Sequence, residues 1–154
     1  MIEEPEIVEI VPQDYAFLHV IVPRAEIRQV MGPGLREVYA AIAAQDMEPD
    51  GPWFTHHLKR PEESFDFEIC VPTSRAIDPA GEVEAGIWPA MRVARTVYRG
   101  DYAKLGDAWG EFADWIATQG LRQAEDLWER YLAGPDTNKD PARWRTELIR
   151  PLVD

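Results

Sequence analysis

Glu147 stands between Thr146 and Leu148 in an extended run, residues 145–152, of mainly apolar and β-branched side chains. A carboxylate in such a strand is either paired or solvated, at a cleft or on an exposed face. In a cleft walled by aromatic rings it attracts a lipophilic cation, and the ring faces add cation–π attraction. Desolvated, its pKa rises and it can act as a general acid or base, the one catalytic role the sequence offers. On the exposed face of an edge strand it is an ordinary surface charge. Glu68 presents the same choice. In residues 65–71, Phe65, Phe67, Ile69 and Val71 take one face while Asp66, Glu68 and Cys70 take the other.

Aromatic residues are available to build such a cleft. There are six tryptophans. Trp109 lies on an apolar helical stripe and reads as core. Trp53, Trp88, Trp128 and Trp144 fall on strands or at connector ends, and Trp88, just before Pro89, is placed to cover a cleft. His56 and His57 are adjacent and point to opposite faces of a strand, so they do not share a metal, and no H-E-x-x-H or C-x-x-C accompanies them. No metal is expected. The only serines are Ser64 and Ser74, and there is no G-x-S-x-G. Neither G-x-G-x-x-G nor a Walker A loop is present, so no nucleotide or other cofactor is expected. Cys70 reads as a small buried hydrophobe.

The whole chain constrains the partners. Its 154 residues carry 16 Lys+Arg and 28 Asp+Glu, a net charge of −12. That balance disfavours direct binding to nucleic acid or to an anionic membrane. The single cysteine fits a reducing compartment, and the acidic start lacks the basic region of a signal peptide. Cytoplasmic localisation is the expectation. A small-molecule ligand is the expected partner; an acidic protein-interaction face is a further possibility.

The elements that must position these groups follow from periodicity and punctuation. Strands are expected at residues 7–11, 15–22, 53–58, 65–71, 91–98, 127–133 and 145–152. Helices are expected at 35–45 and 105–118, where apolar residues recur at i, i+3, i+4 and i+7. Residues 25–31 read as a short helical turn broken by Gly32-Pro33-Gly34, residues 61–64 as a turn, and Gly120 as the stop of the second helix. The order strand, helix, strand, strand occurs twice. Phe54-x-x-His57-Leu58 aligns with Trp128-x-x-Tyr131-Leu132, and Glu68-x-x-x-Pro72 with Glu147-x-x-x-Pro151. The expectation is a single α+β domain over residues 1–154, a tandem repeat with halves at 14–72 and 89–152 and a connector at 73–88. A central cleft between the halves is the expected place for a ligand.

Four segments carry a resemblance to a known family: Val30-Met31-Gly32-Pro33-Gly34, Phe65 through Pro72, the stretch from Val93 to Tyr102 with Leu105, and Trp128-Glu129-x-Tyr131 with Thr146 through Leu152. Together they resemble the GyrI-like small-molecule-binding family, also the effector-binding domain of AraC-type and MerR-type regulators. The resemblance implies a tandem strand-helix-strand-strand (SHS2) fold around a hydrophobic pocket. It also implies an acidic residue on the last strand among aromatics, matching Glu147, with Tyr131 from the preceding strand. Where that family often has His before the x-G-x-Y turn, this chain has Tyr98. No helix-turn-helix segment is evident, so the domain would stand alone. Glu147, Tyr131, Trp88, Glu68, His57 and Trp53 are thus the expected ligand-binding residues. They would hold a hydrophobic, cationic or planar compound with broad, multidrug-like specificity, for sensing or sequestration. The alternative is a cyclopropanoid cyclohydrolase-like hydrolase of strained electrophiles using Glu147. A gyrase-inhibitor-like protein-interaction module ranks third.

Overall fold

A computed structural model describes residues 2–59 and 63–153. In chain order the elements are β1 (Glu6–Ile10), β2 (Gln13–Pro23), α1 (Ile27–Ala43), β3 (Phe54–His57), β4 (Ser64–Pro72) and β5 (Val83–Trp88). Then come β6 (Met91–Arg99), α2 (Leu105–Thr118), β7 (Arg122–Gln123), β8 (Leu127–Ala133) and β9 (Arg145–Val153). The chain divides into two compact units, residues 11–90 and residues 1–10 with 91–154.

In the first unit, β2 pairs antiparallel with both β4 and β5, and β3 pairs with β4. The alternation expected at residues 65–71 holds. Phe67, Ile69 and Val71 meet Ala16, Leu18, Val38 and Ile42 in one core beneath α1. The stretch 73–88 is more than a connector, because its last six residues form β5 against β2. Of the turn expected at 61–64, residues 61 and 62 lie outside the described residues.

The expected break at Gly32-Pro33-Gly34 does not occur. The helix runs through it, with Pro33 in its interior. Pro33 removes one backbone donor, while Val30, Met31, Leu35 and Val38 from both sides of it pack on the same core. That continuous burial outweighs one lost hydrogen bond. Gly34 is what lets the helix approach: a Cβ there would lie 2.6 Å from Ile69 Cδ1 and 3.4 Å from Leu18 Cδ2. Gly34→Val should therefore lower stability by about 2 kcal/mol through overpacking, read as a lower urea midpoint at unchanged slope.

The second unit follows the same path. β6 pairs with β1 and β9, and β8 and β7 pair with β9, all antiparallel. β1 thus joins this unit as a strand alongside β6. α2 and β8 begin and end where periodicity placed them. Ala108, Phe112 and Ile116 on α2 bury against Ala94, Tyr98 and Leu148. Gly120 follows α2 at φ +72°, the left-handed conformation that ends helices without a Cβ penalty. Both units are α+β, each a strand-helix-strand-strand path, with β5 added in the first and β1 and β7 in the second.

Candidate functional site

Register decides which side chains share a face. In the second unit Leu148 faces α2. Across the β8–β9 ladder Glu129 is opposite Leu148, Arg130 opposite Glu147, and Tyr131 opposite Thr146. Opposed residues of an antiparallel pair project to the same side. Glu129 and Tyr131 therefore face α2, and Arg130 and Glu147 face away from it.

On the α2 side the structure assembles an acidic aromatic cluster. Glu129 is 8% exposed. Its Oε2 accepts a 2.7 Å hydrogen bond from Trp109 Nε1, and its Oε1 accepts one of 2.8 Å from the Tyr131 hydroxyl. Its partners are thus neutral donors, and no Arg, Lys or His among the described residues forms an ion pair with it. The Tyr102 ring stands 6.2 Å from Tyr131, edge to face, and 5.0 Å from Trp144. Burial first, then Asp136 and Glu129, push the Tyr102 phenol up to about 12, because its phenolate would sit among carboxylates. Trp144 is held by its Nε1, which donates to Asn138 O at 2.8 Å.

Each part has a local origin. Glu129 and Tyr131 share a face because they are two apart on a strand. Trp109 reaches them from the apolar stripe of α2. Tyr102 sits in a one-turn helix opened by Asp101, whose side chain accepts from Ala103 N. Gly134 ends β8 and begins the loop that carries Trp144.

The opposite face is polar. Arg130 donates to Glu147 at 2.6 Å, and the two side chains are 29% and 13% exposed. Glu147 also lines a cavity of ≈ 290 Å³ together with Glu3, Glu4, Glu6, Arg95 and Arg145. Two of those glutamates are already engaged, Glu3 with Arg99 and Glu6 with Arg95. Glu147 is therefore a paired carboxylate in polar surroundings, and the sheet separates it from Tyr131.

The remaining expected site residues lie in the first unit. Glu68 Oε1 accepts a 3.1 Å hydrogen bond from the Tyr15 hydroxyl and lies 3.3 Å from His56 Nδ1. Trp88 is buried with its ring 5.2 Å from Phe54, and Phe54 lies 5.4 Å from Tyr15. Burial, then Cys70 and Glu68, raise the Tyr15 phenol well above its ordinary value. Burial likewise raises the Cys70 thiol, which leaves it a poor nucleophile. His57 is on the α1 side, stacked 5.2 Å over Phe67, so His56 is the histidine beside Glu68. Trp53 packs against the α1 core.

The position equivalent to Glu129 in the aligned repeat is Thr55, which lies 3.3 Å from His57 Nε2. The first unit thus has a neutral hydroxyl where the second has a carboxylate. Sequence reasoning passed over Glu129 and Tyr102 as site residues, read Trp109 as core, and left Trp144 open between cleft and core. The i, i+2 spacing of Glu129 and Tyr131 was the available signal.

This is an α+β domain in which one strand-helix-strand-strand path occurs twice, with a buried carboxylate among aromatic rings in one copy. The GyrI-like small molecule binding domain matches residues 3–153, and the chain belongs to that family. Solved structures agree in fold. The C-terminal domain of EcmrR is 21% identical with a TM-score of 0.86, covering 98% of each chain. EcmrR in its DNA complex is 23% identical with a TM-score of 0.85, covering 97% of this chain. The present chain spans 57% of that longer one. SAV2435 bound to tetraphenylphosphonium is 11% identical with a TM-score of 0.65, covering 98% of this chain and 94% of its own. No curated protein sequence matches the chain. Among the described residues no helix is long and apolar enough to cross a membrane.

Proposed function

We propose that the chain binds a lipophilic organic cation at Glu129, between Trp109, Tyr131 and Tyr102, as a ligand-sensing or sequestering domain. The observation that carries this reading is the buried carboxylate satisfied by an indole and a phenol and paired with no side-chain cation. A buried charge of this kind favours a counter-charge, and the surrounding rings offer cation–π attraction to a positive centre inside an apolar shell. Tetraphenylphosphonium, the ligand named for one structural neighbour, has that chemistry. This places the ligand carboxylate on β8, in contrast to the sequence expectation of Glu147.

Titration with tetraphenylphosphonium, followed by tryptophan fluorescence, tests the assignment, since Trp109 donates directly to the proposed carboxylate. The control is Glu147→Gln. It removes charge from the opposite face and breaks a paired contact, so affinity should stay within about twofold of wild type, with a stability loss of about 1 kcal/mol from the altered Arg130 pair. A selective loss of cation affinity in Glu147→Gln would return the site to β9. Turnover of a strained electrophile that disappears in Glu129→Gln would replace binding with hydrolysis.

A further inference from the structure

We propose that Gly134 sets the ligand-size limit of the Glu129 site by seating the Tyr102 hydroxyl at its mouth. This rests on the cation-binding reading above and deepens it by naming what selects among cations.

Gly134 is buried, and a Cβ at this position would lie 2.8 Å from the Tyr102 hydroxyl and 3.4 Å from Asp136 Oδ1. The first distance is shorter than real Cβ contacts allow, so any side chain at 134 requires something to move. The Gly134 backbone is poorly placed to do so. Its N–H donates to Thr137 Oγ1 at 3.0 Å, and its carbonyl accepts from Thr137 N at 3.0 Å and Asn138 N at 2.9 Å. The same loop holds Trp144 through Asn138 O, and Gly100 N donates to Trp144 O at 3.0 Å.

Tyr102 is the part that yields. Inward it meets Tyr131 and Trp144; outward it meets solvent, being 37% exposed. A methyl group at 134 therefore drives the phenol outward, which on the proposed reading leaves more room for a ligand beside Glu129. Gly134 does not have positive φ, so alanine is compatible with its backbone. The predicted effect is consequently on the site and not on the loop's conformation.

The test compares tetraethylammonium with tetraphenylphosphonium on wild type, Gly134→Ala, Tyr102→Phe and the double variant. Gly134→Ala should shift the affinity ratio about tenfold toward the larger cation, the scale of discrimination set by small steric changes in a pocket. Tyr102→Phe deletes the atom that a Cβ would strike, so the shift should largely vanish in the double variant. A readout free of ligand accompanies it. Phenolate absorbance, taken as the difference between each protein and its Tyr102→Phe counterpart, should show Tyr102 ionising near 12 in wild type and closer to 10.0 in Gly134→Ala.

The outcomes separate the two readings. If wild type binds neither cation, the proposed function falls and the size limit falls with it. If both cations bind, and Glu129→Gln loses them, but Gly134→Ala changes neither the ratio nor the phenol titration, the size limit alone is overturned. A shift that persists undiminished in the double variant also overturns it, because the hydroxyl would then not be the contact.

Discussion

Glu129→Gln is expected to weaken tetraphenylphosphonium binding by about 30-fold while leaving the urea midpoint nearly unchanged. A unit charge about 4 Å from another is worth about 4 kcal/mol at an effective dielectric of 20. The neutral amide still offers the cation a carbonyl dipole, and its removal from water costs less than that of the carboxylate. A net loss of about 2 kcal/mol, or about 30-fold, follows. The fold should survive because the hydrogen bonds can be remade. The amide oxygen accepts from Trp109 Nε1, and the amide nitrogen donates to the Tyr131 oxygen. Glu129→Ala is the informative contrast. It strands the Trp109 indole N–H, so it should cost about 1–3 kcal/mol of stability as well as the affinity. A neutral planar dye that enters the same rings should be nearly indifferent to Glu129→Gln. Equal binding of the cation by wild type and Glu129→Gln would remove Glu129 from the site.

The way this residue escaped the sequence reading shows what a sequence encodes locally. Strand parity was legible: Phe67, Ile69 and Val71 face α1, and α2 buries Ala108, Phe112 and Ile116, as their spacing requires. What parity cannot supply is the phase of one strand against its neighbour. Glu147 and Tyr131 belong to different strands, and only the pairing of Arg130 with Glu147 shows that they lie on opposite faces. That pairing depends on the turn and bulge between β8 and β9, where the ladder shifts between Tyr131 and Ala133. Glu129 and Tyr131 are on one strand, two apart, so their shared face was readable. The family resemblance pointed instead to an acidic residue on the last strand, and so to Glu147. The Gly32-Pro33-Gly34 segment failed for a related reason: local punctuation predicted a break, and burial on both sides of Pro33 overrode it. The aligned pair His57 and Tyr131 was sound in register, since His56 pairs with Glu68 on β4 as Arg130 pairs with Glu147 on β9. Repeat alignment gave the position, and the change from Thr to Glu gave it chemistry.

Gly86→Ala should be the most damaging alanine substitution at a glycine, at about 3 kcal/mol. Gly86 on β5 pairs with Tyr15 on β2, and the Tyr15 ring lies over the bare backbone. A Cβ there would be 2.7 Å from Cζ, 2.8 Å from Cε2 and 3.0 Å from the hydroxyl. These are atoms of a rigid ring, and the ring is confined. Phe54 is 5.4 Å away and Phe17 5.7 Å away, while the hydroxyl donates to Glu68. Tyr15 is only 5% exposed, so it has no open side to move into. The strain must pass into the β2–β5 ladder, which fits the upper end of overpacking costs. With a urea slope of about 1–3 kcal/mol/M, the midpoint should fall by about 1–3 M. The same substitution at Gly106 and Gly110 on α2 should act in the opposite direction. Nothing lies within 4 Å of either Cβ position, so alanine gains helix propensity of about 0.5–1 kcal/mol each. The sign of a glycine-to-alanine change is then set by what occupies the space. Replacing the ring in Tyr15→Leu should remove most of the Gly86→Ala penalty in a double-mutant cycle. An undiminished penalty there would place the strain in the β5 backbone and not in the aromatic contact.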